Sequence, residues 1–335
     1  MQKILTIVVP VYKVEDYIRK CLDSLIIDPD LMARMDVLIV NDGTPDRSAE
    51  ISREYVDRFP GIFRQIDKEN GGHGSVWNLG LKEARGKYVK FLDSDDWLEN
   101  LDKMLRKLEQ ADVDLVITSC ICHRPGKKPW KLIIKDMEFD KVYVADRFDW
   151  LGNRSHRNYI LHHCAIYRTE MLRRYLPLFL EKQYYDDMIL GAAPIIGATT
   201  LVAWDLEVYQ YLMGREGSSS RTVQPQNADA KLKEYQSIID FIEKHPISDP
   251  TSTKGLYFQV KLLKLYGFGY RTTLLDCCSY REAKQYTETW DKWVRQRNPN
   301  MTSRWIRLYR RCPFWIYWCC YKCCAKGIKL YQRVA

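Results

Sequence analysis

A chain of 335 residues, 46% hydrophobic and 28% charged, is long enough for one large or two ordinary domains and too apolar to remain disordered. Its net charge is +9, but the eight basic residues from Arg304 to Arg333, with no acid among them, carry nearly all of it, which argues against a whole-chain nucleic-acid binder. No run of about 18 uncharged apolar residues exists, Met1–Tyr12 has no cleavage-site pattern, and the 11 cysteines are scattered or in adjacent pairs, so the expectation is a reduced, cytoplasmic setting.

Ile4–Val9 reads as a buried parallel strand because it is nearly continuous in β-branched residues, and Pro10-Val11-Tyr12 ends it. Apolar residues from Tyr17 to Ile26 have helical spacing. Val37–Val40 is a second strand, closed by Asn41-Asp42-Gly43, and Asp46 caps a helix that runs to about Arg58. Ile62–Ile66 is a third strand. Asn70-Gly71-Gly72-His73-Gly74 is a tight glycine-rich loop, and Ser75–Ala84 a helix. Lys87–Leu92 is a fourth strand, and it runs into Asp93-Ser94-Asp95-Asp96. The next elements are a helix from about Glu99 to Gln110 and a strand at Asp114–Ser119. This alternation predicts an α/β fold with a mostly parallel, mixed sheet flanked by helices.

Three carboxylates within four residues are costly unless a positive charge meets them. A hard divalent ion takes oxygen ligands, and Mg²⁺ commonly uses one or two carboxylates plus substrate phosphates. The run therefore reads either as a metal–diphosphate site at Asp93 and Asp95 or as a helix cap, with Asp96 suited to the cap. Asp42, Asn70–Gly74 and Asp93–Asp96 all follow strands, so all can meet at one sheet edge.

Beyond Cys120 the pattern turns mixed. Short strands are expected at Trp130–Ile134, Lys141–Val144, Cys164–Tyr167, Leu201–Trp204 and Val208–Tyr211, and a helix from Thr169. On a strand, adjacent His162 and His163 would point to opposite faces, so at most one is given a site role. Gly214–Arg221 reads as a flexible Gly/Ser segment. Three helices follow at Ala228–Lys244, Lys254–Leu275 and Tyr280–Gln296. The expected organisation is a catalytic domain over 1–222, a helical C-terminal region over 223–300 and a basic-aromatic amphipathic tail over 301–335. In the tail, aromatics interleave with bases in a way suited to an anionic membrane surface. Its paired cysteines, Cys319-Cys320 and Cys323-Cys324, read as small apolar residues rather than a zinc site.

From Ile4 to Arg221 the motifs, in their order, resemble the family 2 glycosyltransferases, inverting enzymes of the GT-A fold. The matching segments are Ile7–Tyr12, Val40–Asp46, Asn70-Gly71-Gly72 with Asn78-Leu79-Gly80, and Gly86-Lys87-Tyr88 through Asp93-Ser94-Asp95-Asp96-Trp97. The resemblance implies that Asp93 and Asp95 are the acid pair for Mn²⁺ or Mg²⁺, with Asp95 the direct ligand and Asp93 nearer the ribose and metal shell, and with Ser94 on the donor side. Asp42 would read the uracil edge, while Pro10, Val11 and Tyr12 line the nucleotide pocket. Lys68 would meet the base or a phosphate, and Gly71 and Gly72 let backbone approach the nucleotide. Asp187, second acid of Asp186-Asp187, would be the general base. Arg215 and Arg221 would flank a loop that closes over the diphosphate.

The function implied is metal-dependent, inverting transfer of a sugar from a nucleotide-sugar, UDP-linked by expectation, to a hydroxyl of a saccharide or lipid-linked acceptor in surface polysaccharide or glycolipid synthesis. The enzyme would sit on the inner face of the cell membrane and bind no nucleic acid. Two other classes are weighed. A sugar nucleotidyltransferase would need a glycine-rich basic loop after the first strand, which Pro10-Val11-Tyr12-Lys13 is not. A catalytically inactive glycan- or membrane-binding protein fits poorly with Asp93, Asp95 and Asp187 all present.

Overall fold

The computed structural model describes residues 2–132, 137–150, 162–176, 179–182, 187–214, 228–275, 277 and 279–319, with backbone alone at 187–188 and 304–305. The chain forms two compact units, one of residues 1–216 with 247–254, the other of 217–246 with 255–335.

The first unit contains, in chain order, β1 (Leu5–Val11), α1 (Ile18–Asp23), α2 (Pro29–Met32), β2 (Met35–Asn41), α3 (Ser48–Arg58), β3 (Phe63–Asp67), α4 (His73–Glu83), β4 (Tyr88–Phe91), β5 (Trp97–Leu98), α5 (Leu101–Gln110), β6 (Leu115–His123), β7 (Trp130–Leu132), β8 (Val142–Val144), β9 (Ala165–Arg168), α6 (Thr169–Tyr175), α7 (Asp187–Leu190), α8 (Ala193–Gly197) and β10 (Thr200–Leu212). The strands join one sheet in the order β3-β2-β1-β4-β9-β6-β10-β5, with β7 on β6 and β8 on β10. Strands β3, β2, β1 and β4 run parallel. From β9 onward the sheet is mixed: β9 is antiparallel to both β4 and β6, and β10 is parallel to β6. This is the mixed, helix-flanked sheet that the strand–helix alternation predicts.

Every residue of β1 and β2 is buried, which is why both read as unbroken apolar runs. At their N-terminal ends Thr6 Oγ1 donates to Asp36 Oδ2 at 2.8 Å, and Arg64 Nε reaches Asp36 Oδ1 at 2.6 Å. A buried carboxylate is tolerable there because the guanidinium pairs with it. The opposite, C-terminal edge carries the polar loops. Val11 pairs with Asn41 and Asn41 with Asp67, so Tyr12, Asp42 and Lys68 leave the sheet side by side.

Two expectations are corrected here. Asp96 caps no helix: β5 intervenes, and α5 starts at Leu101 after Asn100, whose backbone is left-handed at φ 53°. The two short strands foreseen at 201–204 and 208–211 are one strand, β10, with irregular pairing to β6 around Glu207. Asp46 does serve α3, its Oδ1 accepting the Ser48 amide at 3.1 Å.

The second unit holds α9 (Ala228–Lys244), most of α10 (Thr253–Leu275), α11 (Tyr280–Arg297) and α12 (Arg304–Arg311). Trp290 is buried, its indole N–H donating to Tyr266 O at 3.1 Å, and Gly269 is required where a Cβ would strike the Trp290 ring. Ile306 and Tyr317 are fully buried, and the Tyr317 hydroxyl donates to Tyr270 O at 2.9 Å. The start of the basic-aromatic stretch is thus packed into the helical unit. Among the described residues no helix is long and apolar enough to cross a membrane.

Candidate active site

The glycine loop is held by Asp42. This carboxylate is almost fully buried; Oδ1 accepts the Gly71 amide at 2.9 Å and the Lys68 ammonium at 2.8 Å, and Oδ2 accepts the Gly72 amide at 2.8 Å. Lys68 spends its remaining donors on Glu69 O at 2.6 Å and Ser75 Oγ at 2.9 Å. Lys68 is therefore a staple of the loop, and a phosphate would have to displace one of these three partners. The loop needs glycine for two reasons. Gly72 has φ +82°, a left-handed value that L side chains rarely adopt. At Gly71 a Cβ would meet Ser75 Oγ at 2.6 Å. Of the three residues expected to line the pocket, Pro10 and Val11 are buried in β1, and Val11 O accepts the Asp42 amide. Tyr12 alone presents a face, 43% exposed, with the Lys13 ammonium 5.3 Å from its ring centre.

The acidic run leaves β4 beside this loop. Ser94 and Asp96 are buried, Asp93 and Asp95 half-buried. Asp96 is tied to β10: Oδ1 accepts the Leu212 amide at 2.7 Å and Oδ2 accepts the Tyr209 hydroxyl at 2.8 Å. The same hydroxyl lies 3.1 Å from the Asp93 amide and accepts from it. Burial, with Asp93 and Asp95 close by, pushes the Asp96 carboxyl well above the ordinary carboxylate range.

Asp93 faces three imidazoles. Its Oδ1 is 3.3 Å from His73 Nε2; its Oδ2 is 3.3 Å from His162 Nε2 and 3.7 Å from His163 Nε2. Burial raises the Asp93 carboxyl, but the histidines outweigh it and hold the group well below its usual value. Burial and the neighbouring His162 push His163 well below 6.5, so it is neutral. The pair does not diverge as it would on a strand, because His162–Cys164 is one turn of 3₁₀ helix. Residues in such a turn are about 120° apart rather than opposed, and the two rings lie together with centroids 3.8 Å apart. His73 is the first residue of α4, which starts two residues before the expected Ser75, and it packs on Trp77 one turn on, with ring centres 4.1 Å apart.

Beneath them Lys90 is fully buried in β4. Its ammonium donates to His163 O at 2.9 Å and Ala165 O at 3.2 Å and faces the Tyr209 ring. Burial lowers its pKa to about 8. It holds the turn that carries the histidines against the strand that carries Asp93.

Asp93, His162 and His163 offer a carboxylate oxygen and two imidazole nitrogens within 4.8 Å of one another, a set that suits a divalent ion, and Asp95 is not part of this group. Asp187 is the first residue of α7, described by its backbone alone. Asp186, Arg215 and Arg221 lie outside the described residues.

The sequence model of glycosyl transferase family 2 matches residues 6–176, just over half of the chain. An uncharacterized glycosyltransferase of Bacillus subtilis, EpsJ, is 28% identical over 256 residues, covering 74% of this chain and 72% of that protein. The glycosyltransferase GlyA of Streptococcus pneumoniae is 34% identical over 142 residues, but these are 42% of this chain and 20% of that protein. The crystal structure of S. aureus TarS residues 1–349 superposes with a TM-score of 0.57 at 18% identity, covering 88% of this chain and 91% of that one; its complex with UDP-GlcNAc gives 0.55. The fold is thus shared with a structure that binds a nucleotide-sugar, and this chain belongs to glycosyl transferase family 2, as a glycosyltransferase of the GT-A fold.

Proposed function

We propose that the protein transfers a sugar from a UDP-sugar to a hydroxyl of a saccharide or lipid-linked acceptor, with inversion and with a divalent ion. The observation that carries this reading is the meeting, at one sheet edge, of the Asp42-held glycine loop, the exposed Tyr12 ring and the Asp93–Asp95 carboxylates. Tyr12 offers a face on which a base can stack. Gly71 and Gly72 let the nucleotide approach backbone closely. Asp93 and Asp95 would hold Mn²⁺ or Mg²⁺, which when bound neutralises charge on the leaving diphosphate. Asp187 takes the proton of the acceptor hydroxyl as it attacks the anomeric carbon. A single base with direct displacement inverts the anomeric centre, in contrast to the two-carboxylate retaining route.

The preference for UDP is supported by the UDP-GlcNAc bound in the TarS complex. The acceptor and the site of action on the inner membrane face are supported by the stretch from 301 onward. Arg307, Arg311 and Trp315 remain exposed there while Ile306 and Tyr317 turn inward, leaving a basic-aromatic surface of the kind drawn to anionic headgroups.

The test is release of nucleotide from a panel of UDP-, GDP-, dTDP- and CMP-sugars with Mn²⁺ or Mg²⁺. Metal-dependent release of UDP from one UDP-sugar is the expected result. Release from none of them contradicts the reading, and pyrophosphate formation from UTP and a sugar phosphate would identify a nucleotidyltransferase instead.

A further inference from the structure

The family resemblance accounts for Asp93 and Asp95 but not for the paired imidazoles beside them. One carboxylate oxygen, Asp93 Oδ2, faces two ring nitrogens at once, His162 Nε2 at 3.3 Å and His163 Nε2 at 3.7 Å. The first is a long hydrogen bond and the second lies beyond hydrogen-bond reach, against about 2.7–2.9 Å for a charge-assisted contact. They are close to the spacing of neighbouring ligand atoms around an ion with bonds of about 2.0–2.2 Å, roughly 3.0–3.6 Å for octahedral to tetrahedral angles. One ligand atom from each of Asp93, His162 and His163 lies within 4.8 Å of the other two.

Both histidines are buried, and the chain holds them from outside the cluster. The Lys90 ammonium binds the His163 carbonyl, and the His163 ring rests on Tyr211 at 4.4 Å and Tyr209 at 4.8 Å. His162 meets the edge of Trp77 at 5.1 Å. His73 approaches the other oxygen of Asp93 and so fixes the carboxylate's rotation. The Nδ1 atoms of His162 and His163 have no partner among the described residues. Each ring is therefore committed through Nε2, the nitrogen aimed at Asp93. A ring bound to an ion through Nε2 carries its proton on Nδ1 and ordinarily donates it, so the unpartnered Nδ1 atoms do not favour the ion, and the grouping of the three ligand atoms within 4.8 Å carries the inference.

We propose that Asp93, His162 and His163 form a nitrogen-bearing cation centre, taking a borderline divalent ion such as Mn²⁺, Co²⁺ or Zn²⁺ through two imidazole Nε2 atoms and one carboxylate oxygen. Imidazole suits these ions better than Mg²⁺, which prefers oxygen. The proposal rests on the function proposed above only in assigning the ion to the donor diphosphate.

The test uses the full chain, stripped with chelator and loaded with Mn²⁺ alone, read by pulsed electron paramagnetic resonance for ¹⁴N coupling from imidazole. Two nitrogens are expected on the wild-type ion. One is expected in His163→Asn, with Mn²⁺ binding weaker by about tenfold or more. Bound Mn²⁺ without nitrogen coupling in the wild type overturns the proposal, as does failure to bind Mn²⁺ at all, which would leave the histidines as a hydrogen-bonded cage around Asp93. The wild-type spectrum needs no variant to fold. UDP binding measured on the same sample separates the two readings: UDP bound without nitrogen coupling removes the imidazole centre and leaves the transferase, and nitrogen coupling without UDP binding does the reverse.

Discussion

The Tyr209 hydroxyl stands between two members of the acidic run, donating to Asp96 Oδ2 at 2.8 Å and accepting the Asp93 amide at 3.1 Å. A residue of β10 thus fixes the shape of a segment more than a hundred positions earlier. Asp93 is aimed at the histidines because Asp96, three residues on, is anchored to the neighbouring strand pair.

Tyr209→Phe tests this directly. It leaves the buried Asp93 amide and Asp96 carboxyl each short of a partner, at a cost of about 1–3 kcal/mol for such a group. A lower urea midpoint and weaker Mn²⁺ binding are expected together. Unchanged metal binding would mean that the run holds its shape without β10.

Asp42→Asn replaces one of two accepting oxygens by an N–H₂ group that faces a glycine amide or Lys68. Hydrogen bonds to a charged group contribute about 1.5–3 kcal/mol, so a stability loss of that order is expected. The glycine loop should loosen, and UDP affinity should fall with it. If UDP affinity falls at unchanged stability, Asp42 contacts the nucleotide rather than only shaping the loop.

In the helical unit Asp291 accepts from Arg295 Nε at 2.6 Å, the Tyr270 hydroxyl at 2.5 Å and Arg310 Nε at 2.9 Å. Burial raises this carboxyl, but the three donors outweigh burial and leave it below its ordinary value. A carboxylate lowered in the folded state stabilises above its unfolded pKa, and that contribution fades as pH falls through the folded value. Asp291→Asn should therefore destabilise the protein at pH 7 and differ less from wild type as the pH drops below about 4. A midpoint difference constant from pH 7 to pH 3 would contradict this.

Asp187→Asn should abolish nucleotide release from the donor while UDP and Mn²⁺ still bind, because the carboxamide cannot take the acceptor's proton. Retained turnover in Asp187→Asn removes the base assignment.

The parallel half of the fold was readable because burial on both faces writes unbroken apolar runs, as in Ile7-Val8-Val9 and Val37–Val40. The acidic run and the glycine loop were readable because both break those runs at strand ends. Other features depended on tertiary neighbours. Whether Asp96 capped a helix or bound a strand turned on Tyr209 and Leu212 of β10. Whether His162 and His163 diverged or converged turned on one 3₁₀ turn, since a doublet has the same sequence in either backbone. Lys90 reads as an ordinary alternation residue until its ammonium is seen on two carbonyls.

The proposed function requires that this sheet edge bind a nucleotide diphosphate through an ion held by the acidic run. Calorimetric titration of UDP into the chelator-stripped chain, with and without Mn²⁺, and into Asp95→Ala, tests it most directly. Binding at least about tenfold tighter with Mn²⁺ is expected in the wild type, a factor equal to about 1.4 kcal/mol, with little gain from Mn²⁺ in Asp95→Ala. Equal UDP affinity with and without the ion in the wild type would contradict it.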